Sequence, residues 1–177
     1  MRKTVVYELL SLDGVAEAPQ NFFGWSDDLD AHLGAIIAPQ DAVILGRTTY
    51  DEWAPFWPSA DIEPFAPFIN GVQKFVATST PLDKGWANAT VIDGGLIDFV
   101  RDLRQQDGGD VGIHGSISIA QALLAAELVD QLSVVIRPVV AGRGRRLLDG
   151  SPSIQLETIR TEIVPSGYLL LDYRVVR

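Results

Sequence analysis

The chain reads as an α/β protein: a three-layer α/β/α arrangement around a mixed, mostly parallel sheet with an antiparallel C-terminal strand. Three observations predict this. Short, continuously apolar runs, as in strands buried on both faces, alternate with amphipathic helical patterns over residues 4–126. The C-terminal part instead reads as strand, turn and strand, with the turn at Ser166–Gly167, and so closes the sheet with an antiparallel edge strand. The 177 residues contain no repeat, low-complexity tract or linker-like segment, and 47% are apolar, so a single domain over 1–177 with a sizeable core is expected.

The elements follow in order. "TVVYELLSL" (4–12) is the predicted first strand. "DDLDAHLGAIIA" (27–38) places Leu29, Leu33, Ile36 and Ile37 on one helical stripe, with Ser26 at the N-cap position and Pro39 as the stop. "DAVILG" (41–46) is a buried strand, and "RTTYDEW" (47–53) is helical. Residues 54–71 are rich in proline and aromatics and predict a loop with a short helix near 61–70. Strands follow at 72–78 and 89–93. An amphipathic helix at 96–106 is stopped by Gly108–Gly109. Then come a strand at 110–113, a helix at 116–126 and a long strand at 130–140, whose apolar length suits a sheet-mediated homodimer.

Composition removes several function classes. There is no cysteine, which excludes disulfides, thiolate catalysis and cysteine metal sites. With two histidines, His32 and His114, no histidine-rich metal site is expected either. A net charge of −9 opposes nucleic-acid binding, which depends on a basic surface. No apolar run reaches the ~18–20 residues a membrane span needs. The N-terminus "MRKTVVYELLSLDG" has a short apolar stretch interrupted by Glu8 and no small-residue cleavage site, so a cytoplasmic protein acting on a small molecule is expected.

Open parallel sheets bind ligands outside the carboxyl ends of their strands. Three such ends carry chemistry here. In "VILGRTTYDEW", Gly46 permits a tight strand-to-helix turn, Thr48 and Thr49 stand in the first helical turn, and Arg47 adds charge. A helix start of this kind favours an anion. In "DVGIHGSISIAQALL", His114, Gly115, Ser116 and Ile117 occupy the same kind of turn, although the spacing is not that of a glycine-rich dinucleotide fingerprint. His114 reads as a turn residue rather than a catalyst, and Ser116 or Ser118 also suits a helix cap. In "FVATSTPL", the hydroxyls of Thr78, Ser79 and Thr80 suit a ribose or a 2′-phosphate. Each end also has an ordinary reading as a helix start or solvent-facing turn. Their coincidence in one small domain points to a phosphate-bearing ligand.

"SLDGVAEAP", "DAVILGRTTYDEW", "DVGIHGSISIAQALLAAELVDQLSVVIRPVVAGRGRRLLDG" and the closing strand pair together resemble the dihydrofolate-reductase-like superfamily. Within it, they are most similar to the reductase domain of the bifunctional riboflavin-biosynthesis deaminase-reductase and its stand-alone bacterial relatives. The resemblance covers nearly the whole chain. It implies an oxidoreductase that uses NADPH, with phosphates against Gly46–Thr49 and His114–Ile117 and the adenosine ribose near Ser79 and Thr80. NADH stays open, because no arginine or lysine directly follows the third strand; Arg47 or Lys84 would have to compensate. Folate-reducing members carry two glycines at the second turn, often joined by a cis peptide. Here His114 replaces the first glycine, so a cis bond, costly outside proline, is not assumed and the sequence leaves the point open.

The resemblance further implies hydride transfer to a small flat heterocycle, pterin-like or aminopyrimidine-like, and a homodimer. Riboflavin-pathway reduction is a narrower version, and the zinc-binding deaminase half is absent from this sequence. The register of folate reductases places the catalytic acid at Asp30; the stand-alone relatives place it at Asp27. The two are spaced i,i+3 on one helix face, where acids also simply suit the helix dipole. Asp13 either lines the substrate site or makes a turn. Residues 14–25 form a candidate lid, with Phe22, Phe23 and Trp25 available for stacking, and Trp53, Phe56 and Trp57 form a candidate second wall. Arg143, Arg145 and Arg146 read as a solvated loop. Two alternatives remain: a non-catalytic nucleotide-binding module, favoured if neither Asp27 nor Asp30 reaches the pocket, and a structural oligomer whose pocket is filled by side chains.

Overall fold

A computed structural model describes residues 1–177. Eight strands form one sheet: β1 (Thr4–Ser11), β2 (Gln40–Gly46), β3 (Gln73–Ala77), β4 (Ala89–Val91), β5 (Asp110–His114), β6 (Gln131–Arg137), β7 (Gln155–Ile163) and β8 (Leu169–Val176), in the order β4-β3-β2-β5-β1-β6-β8-β7. β1 to β6 run parallel. β8 is antiparallel both to β6 and to β7, so it alone is reversed. The reversed strand therefore lies one place inside the edge, because the hairpin folds β7 to its outside.

Five helices cover both faces: α1 (Asp30–Ile37), α2 (Arg47–Trp53), α3 (Phe65–Gly71), α4 (Leu96–Gln105) and α5 (Ile117–Ala125). Side chains alternate along a strand, so each strand feeds both layers. Val6, Ile44 and Ile113 pack under Val100 of α4 and Ala120 and Leu123 of α5. Val5, Val43, Leu45 and Val76 pack under Leu33 and Ile37 of α1 and Ile69 of α3.

Some expectations change in detail. Residues 27–29 form a short 3-10 turn before α1, and Ser26 makes no capping hydrogen bond. Asp28 instead accepts bonds from the Ser166 backbone N–H (2.8 Å) and hydroxyl (2.9 Å), tying the helix entry to the β7–β8 turn. The strand expected at 130–140 ends at Arg137, because Pro138 has no N–H to donate. It is paired on both sides, by β1 and β8, so it has no open edge for strand pairing with a second subunit. The free edges are β4 and β7, and on β7 Ile159 and Ile163 are exposed.

The amino ends of the strands are pinned by buried charge. Arg104 Nη2 donates to both carboxylate oxygens of Asp130, at 2.9 and 2.8 Å. Asp130 also accepts the Thr4 N–H at 2.8 Å and Arg177 Nη2 at 3.0 Å. Lys74, fully buried, donates to the carbonyls of Ile69 and Val72, both at 2.8 Å, and lies 4.7 Å over the Trp86 ring.

Candidate active site

The two helix starts meet at the carboxyl ends of β2 and β5. Ser116 Oγ accepts the Gly46 N–H at 2.9 Å and donates to Thr49 Oγ1 at 2.8 Å, and Thr49 Oγ1 donates to the Gly115 carbonyl at 3.3 Å. Ser116 thus stitches the two turns together and does not cap its own helix. No side chain caps α2 or α5. Their first-turn N–H groups therefore lack intrahelical partners where residues 46–49 and 114–118 line a cavity.

Gly115 is needed at this turn. Its φ is +70°, and an added Cβ would come within 2.9 Å of the Trp53 ring. The sole cis peptide is Glu63–Pro64, so His114–Gly115 is trans. The His114 imidazole points away from the turn. Its Nε2 pairs with Gln40 Oε1 at 2.8 Å, and its ring packs 5.4 Å from Phe65 and 5.8 Å from Tyr7. Burial pushes its pKa down to about 3, so the neutral ring donates to the Gln40 oxygen. Gly112 leaves room for this pair; a Cβ there would lie 2.0 Å from Gln40 Oε1. His114 accordingly offers the crevice its backbone.

The cavity holds about 400 Å³. Tyr7, Glu8 and Leu9 of β1 form its floor beside the two helix starts. Trp53, Trp57 and Phe65 make an edge-to-face wall, with Trp53–Trp57 centroids 5.8 Å apart and Trp57–Phe65 centroids 4.9 Å apart. Residues 16–20 and Trp25 cover it, as expected for a lid. The lid is held by backbone bonds from Ala16 and Glu17 to the Arg145 carbonyl (3.0 and 3.2 Å) and from Leu147 to Gly14 (3.1 Å). Arg145, exposed to solvent as expected, also stands at the rim of the cavity. Phe23 packs on Tyr168, 4.9 Å away, and Phe56 is exposed; neither reaches the cavity.

A second cavity lies beside the first, lined by Thr78, Ser79, Thr80 and Pro81 at the end of β3 together with Ile92 and Leu96. Arg47 spans the two. It donates to Thr80 Oγ1 and the Pro81 carbonyl (3.1 Å) and pairs with Asp51 (2.8 Å) and Asp83 (3.4 Å). The hydroxyl loop, neutral in itself, thus gains a guanidinium from α2.

The acids named from sequence are placed elsewhere. Asp13 is a brace: it accepts bonds from the Ser11 hydroxyl (2.7 Å) and from the N–H groups of Ala141 and Gly142 (both 2.9 Å). These bonds pull its pKa down to about 2, and it does not line the cavity. Asp27 is exposed and outside the cavity. Asp30 accepts the Trp25 Nε1–H at 2.7 Å and so orients a lid residue without lining the pocket itself. Four other carboxyls, none of them named as an acid from sequence, do line it: Glu17, Glu52 and Glu63 are exposed, and Glu8 alone is buried, 4% exposed, with its Oε1 lacking a hydrogen-bond partner. Burial pushes its pKa up to about 8, offset in part by the Gly115 N–H. The neighbouring Tyr7 hydroxyl is also buried without a partner. The signal was present in the sequence as one acid within "TVVYELLSL", a strand that is otherwise apolar.

The sequence profile of the RibD C-terminal domain matches residues 2–170. Two Bacillus subtilis proteins are similar along much of their length: YyaP is 25% identical over 97% of this chain and 94% of its own, and YwjB is 27% identical over 81% and 80%. Among solved structures, a candidate riboflavin biosynthesis protein of Shewanella sp. PV-4 superimposes with a TM-score of 0.80 at 21% identity, covering 99% of both chains. A pyrimidine reductase-like protein of Corynebacterium diphtheriae gives 0.73 at 15% identity, over 99% of this chain and 92% of its own. The diaminohydroxyphosphoribosylaminopyrimidine deaminase/5-amino-6-(5-phosphoribosylamino)uracil reductase of Thermotoga maritima gives 0.72 at 14% identity, over 99% of this chain and 57% of its own. The eight-stranded sheet with its one reversed strand is the fold these structures share. The chain belongs to the RibD C-terminal domain family.

Proposed function

We propose that the protein is an NADPH-dependent reductase of a small flat heterocycle, pyrimidine-like or pterin-like. The observation that carries this is the order of groups along the crevice. Hydroxyls and a guanidinium stand at the end of β3, uncapped helix starts at β2 and β5, and an aromatic-walled cavity over β1. The sheet order β3-β2-β5-β1 sets these in one line. Adenosine, pyrophosphate and nicotinamide need those three environments in that sequence. The donor set fits the cofactor: backbone N–H groups for phosphate, a glycine where Trp53 leaves no room for a Cβ, and Arg47 for a 2′-phosphate. The bound cofactor would supply a hydride. Names among the structural neighbours point the same way, to reductases of pyrimidines.

The chain's own residues would bind and orient. Residues 46–49 and 114–117 would hold the phosphates, with Ser79 and Thr80 on the ribose. Trp53, Trp57 and Phe65 would flank the heterocycle, and residues 16–20 with Trp25 would exclude water. The exposed edge of β7, with Ile159 and Ile163, is where a homodimer would form. One observation favours a second reading. Neither Asp27 nor Asp30 reaches the cavity, which suits a non-catalytic nucleotide-binding module.

The test is to mix protein and NADPH with a panel of aminopyrimidine and pterin acceptors and follow loss of the reduced nicotinamide absorbance. Acceptor-dependent oxidation is expected. Saturable cofactor binding with no oxidation across the panel would leave the module.

A further inference from the structure

Glu8 is the one buried carboxylate of the sheet that no other side chain holds. Asp172 is bonded to His32 at 3.0 Å and Asp130 to Arg104 at 2.8 Å. Glu8 has only the Gly115 N–H near it, and Oε1 has none. Its position explains this. The β1–β5 register ends with Tyr7 opposite His114, so Glu8 stands where β5 has already turned away at Gly115. Across β6 its neighbour is Val134, and α5 carries no charged residue. The side chain is aimed into the cavity at the end farthest from the β3 hydroxyls.

The other titratable groups lining the cavity do not replace a partner. Tyr7 of β1 and His114 of β5 are buried and neutral. Glu17 comes from the lid, Arg145 from the loop it pairs with, Arg47 and Glu52 from α2, and Glu63 from the connection after it. A purely structural carboxyl would cost less with a partner, as the other two have.

We propose that Glu8 carries an exchangeable proton at the nicotinamide end of the crevice, which it releases when the oxidised dinucleotide, with its cationic nicotinamide ring, binds and keeps when the reduced one, with its uncharged ring, does. This rests on the cofactor reading above. The Glu8 O–H bond breaks, the proton passes to water, and the carboxylate left behind faces the ring's positive charge; no electrons move. A cation against a buried acid favours its charged form. Burial holds the proton on Glu8 at neutral pH, up to about 8, so it is there to be released.

The experiment is calorimetric titration of the wild-type protein with NADP⁺ and with NADPH, near neutral pH, in two buffers of different ionisation enthalpy. NADP⁺ is expected to release close to one proton per site, and its affinity to rise up to about tenfold per pH unit below pH 8. NADPH is expected to release none. Glu8→Gln is expected to abolish release on NADP⁺ binding, and Glu17→Gln to retain it. NADP⁺ binding without proton release, or release that persists in Glu8→Gln, overturns the role given to Glu8 while the cofactor reading stands. If neither dinucleotide binds a folded sample, the cofactor reading falls and takes this proposal with it.

Discussion

The two ends of the sheet treat buried charge in opposite ways. At the amino ends, Asp130 gathers Arg104, the Thr4 amide and Arg177, and Lys74 is bonded to two carbonyls. At the carboxyl ends, the α2 and α5 starts have no caps, and Glu8 and Tyr7 have oxygens without partners. The first pattern is a cluster of ion pairs that stabilises the fold; the atoms it leaves unpaired, Thr4 Oγ1 and Arg104 Nε, belong to residues outside the cavity. The second leaves unpaired polar groups on residues that line the cavity.

The largest expected effect breaks the paired end. Asp130→Ala strands Arg104 in the interior and should cost about 3–5 kcal/mol in denaturant unfolding. NADPH affinity of the folded protein should not change. A loss of affinity without a loss of stability would mean the two ends are not separate.

At the other end, Gly115→Ala forces a Cβ onto a residue at φ +70° and against Trp53. It should cost about 1–2 kcal/mol of stability and weaken NADPH binding by about tenfold or more, measured by fluorescence titration.

Glu8 sharpens the contrast through pH. The folded state keeps its proton up to about 8, whereas the unfolded chain loses it near the ordinary 4.5. Between those values the folded state binds more protons, so stability falls as pH rises through the window and levels off above it. Glu8→Gln should remove that slope and be more stable than wild type at pH 9. Denaturant midpoints across pH check this; parallel profiles for the two proteins would show that Glu8 is ionised in the fold.

The smallest effect concerns cofactor choice. Arg47→Ala should weaken NADPH about tenfold and NADH little, because a guanidinium–phosphate contact is strong where it is bidentate. Equal losses for both would remove the 2′-phosphate role from the Arg47–Thr80 corner.

Much of this was legible in the sequence. Apolar runs gave the strands, and Gly, Ser and Thr at three strand ends marked the crevice, since a tight turn into a helix needs those residue types. What was not legible depends on distant contacts. Asp13 reads as a site residue until Ala141 and Gly142 arrive to take its carboxylate. His114 reads as part of the turn, but Gln40 draws its ring to the other side. Asp27 and Asp30 read as sharing a helix face, yet Asp27 lies exposed in a 3-10 turn and Asp30 at the start of α1 takes the Trp25 N–H, so neither lines the cavity. Glu8 lay in plain view within the first strand. Its lack of a partner follows from β5 ending opposite Tyr7, which no local pattern reveals.

The most direct measurement is a titration of the purified protein with NADPH and with NADH, following quenching of its four tryptophans, of which Trp25, Trp53 and Trp57 line the cavity. Saturable quenching is expected with both, tighter for NADPH, together with a rise in melting temperature. A folded sample whose fluorescence and melting temperature respond to neither would contradict the account.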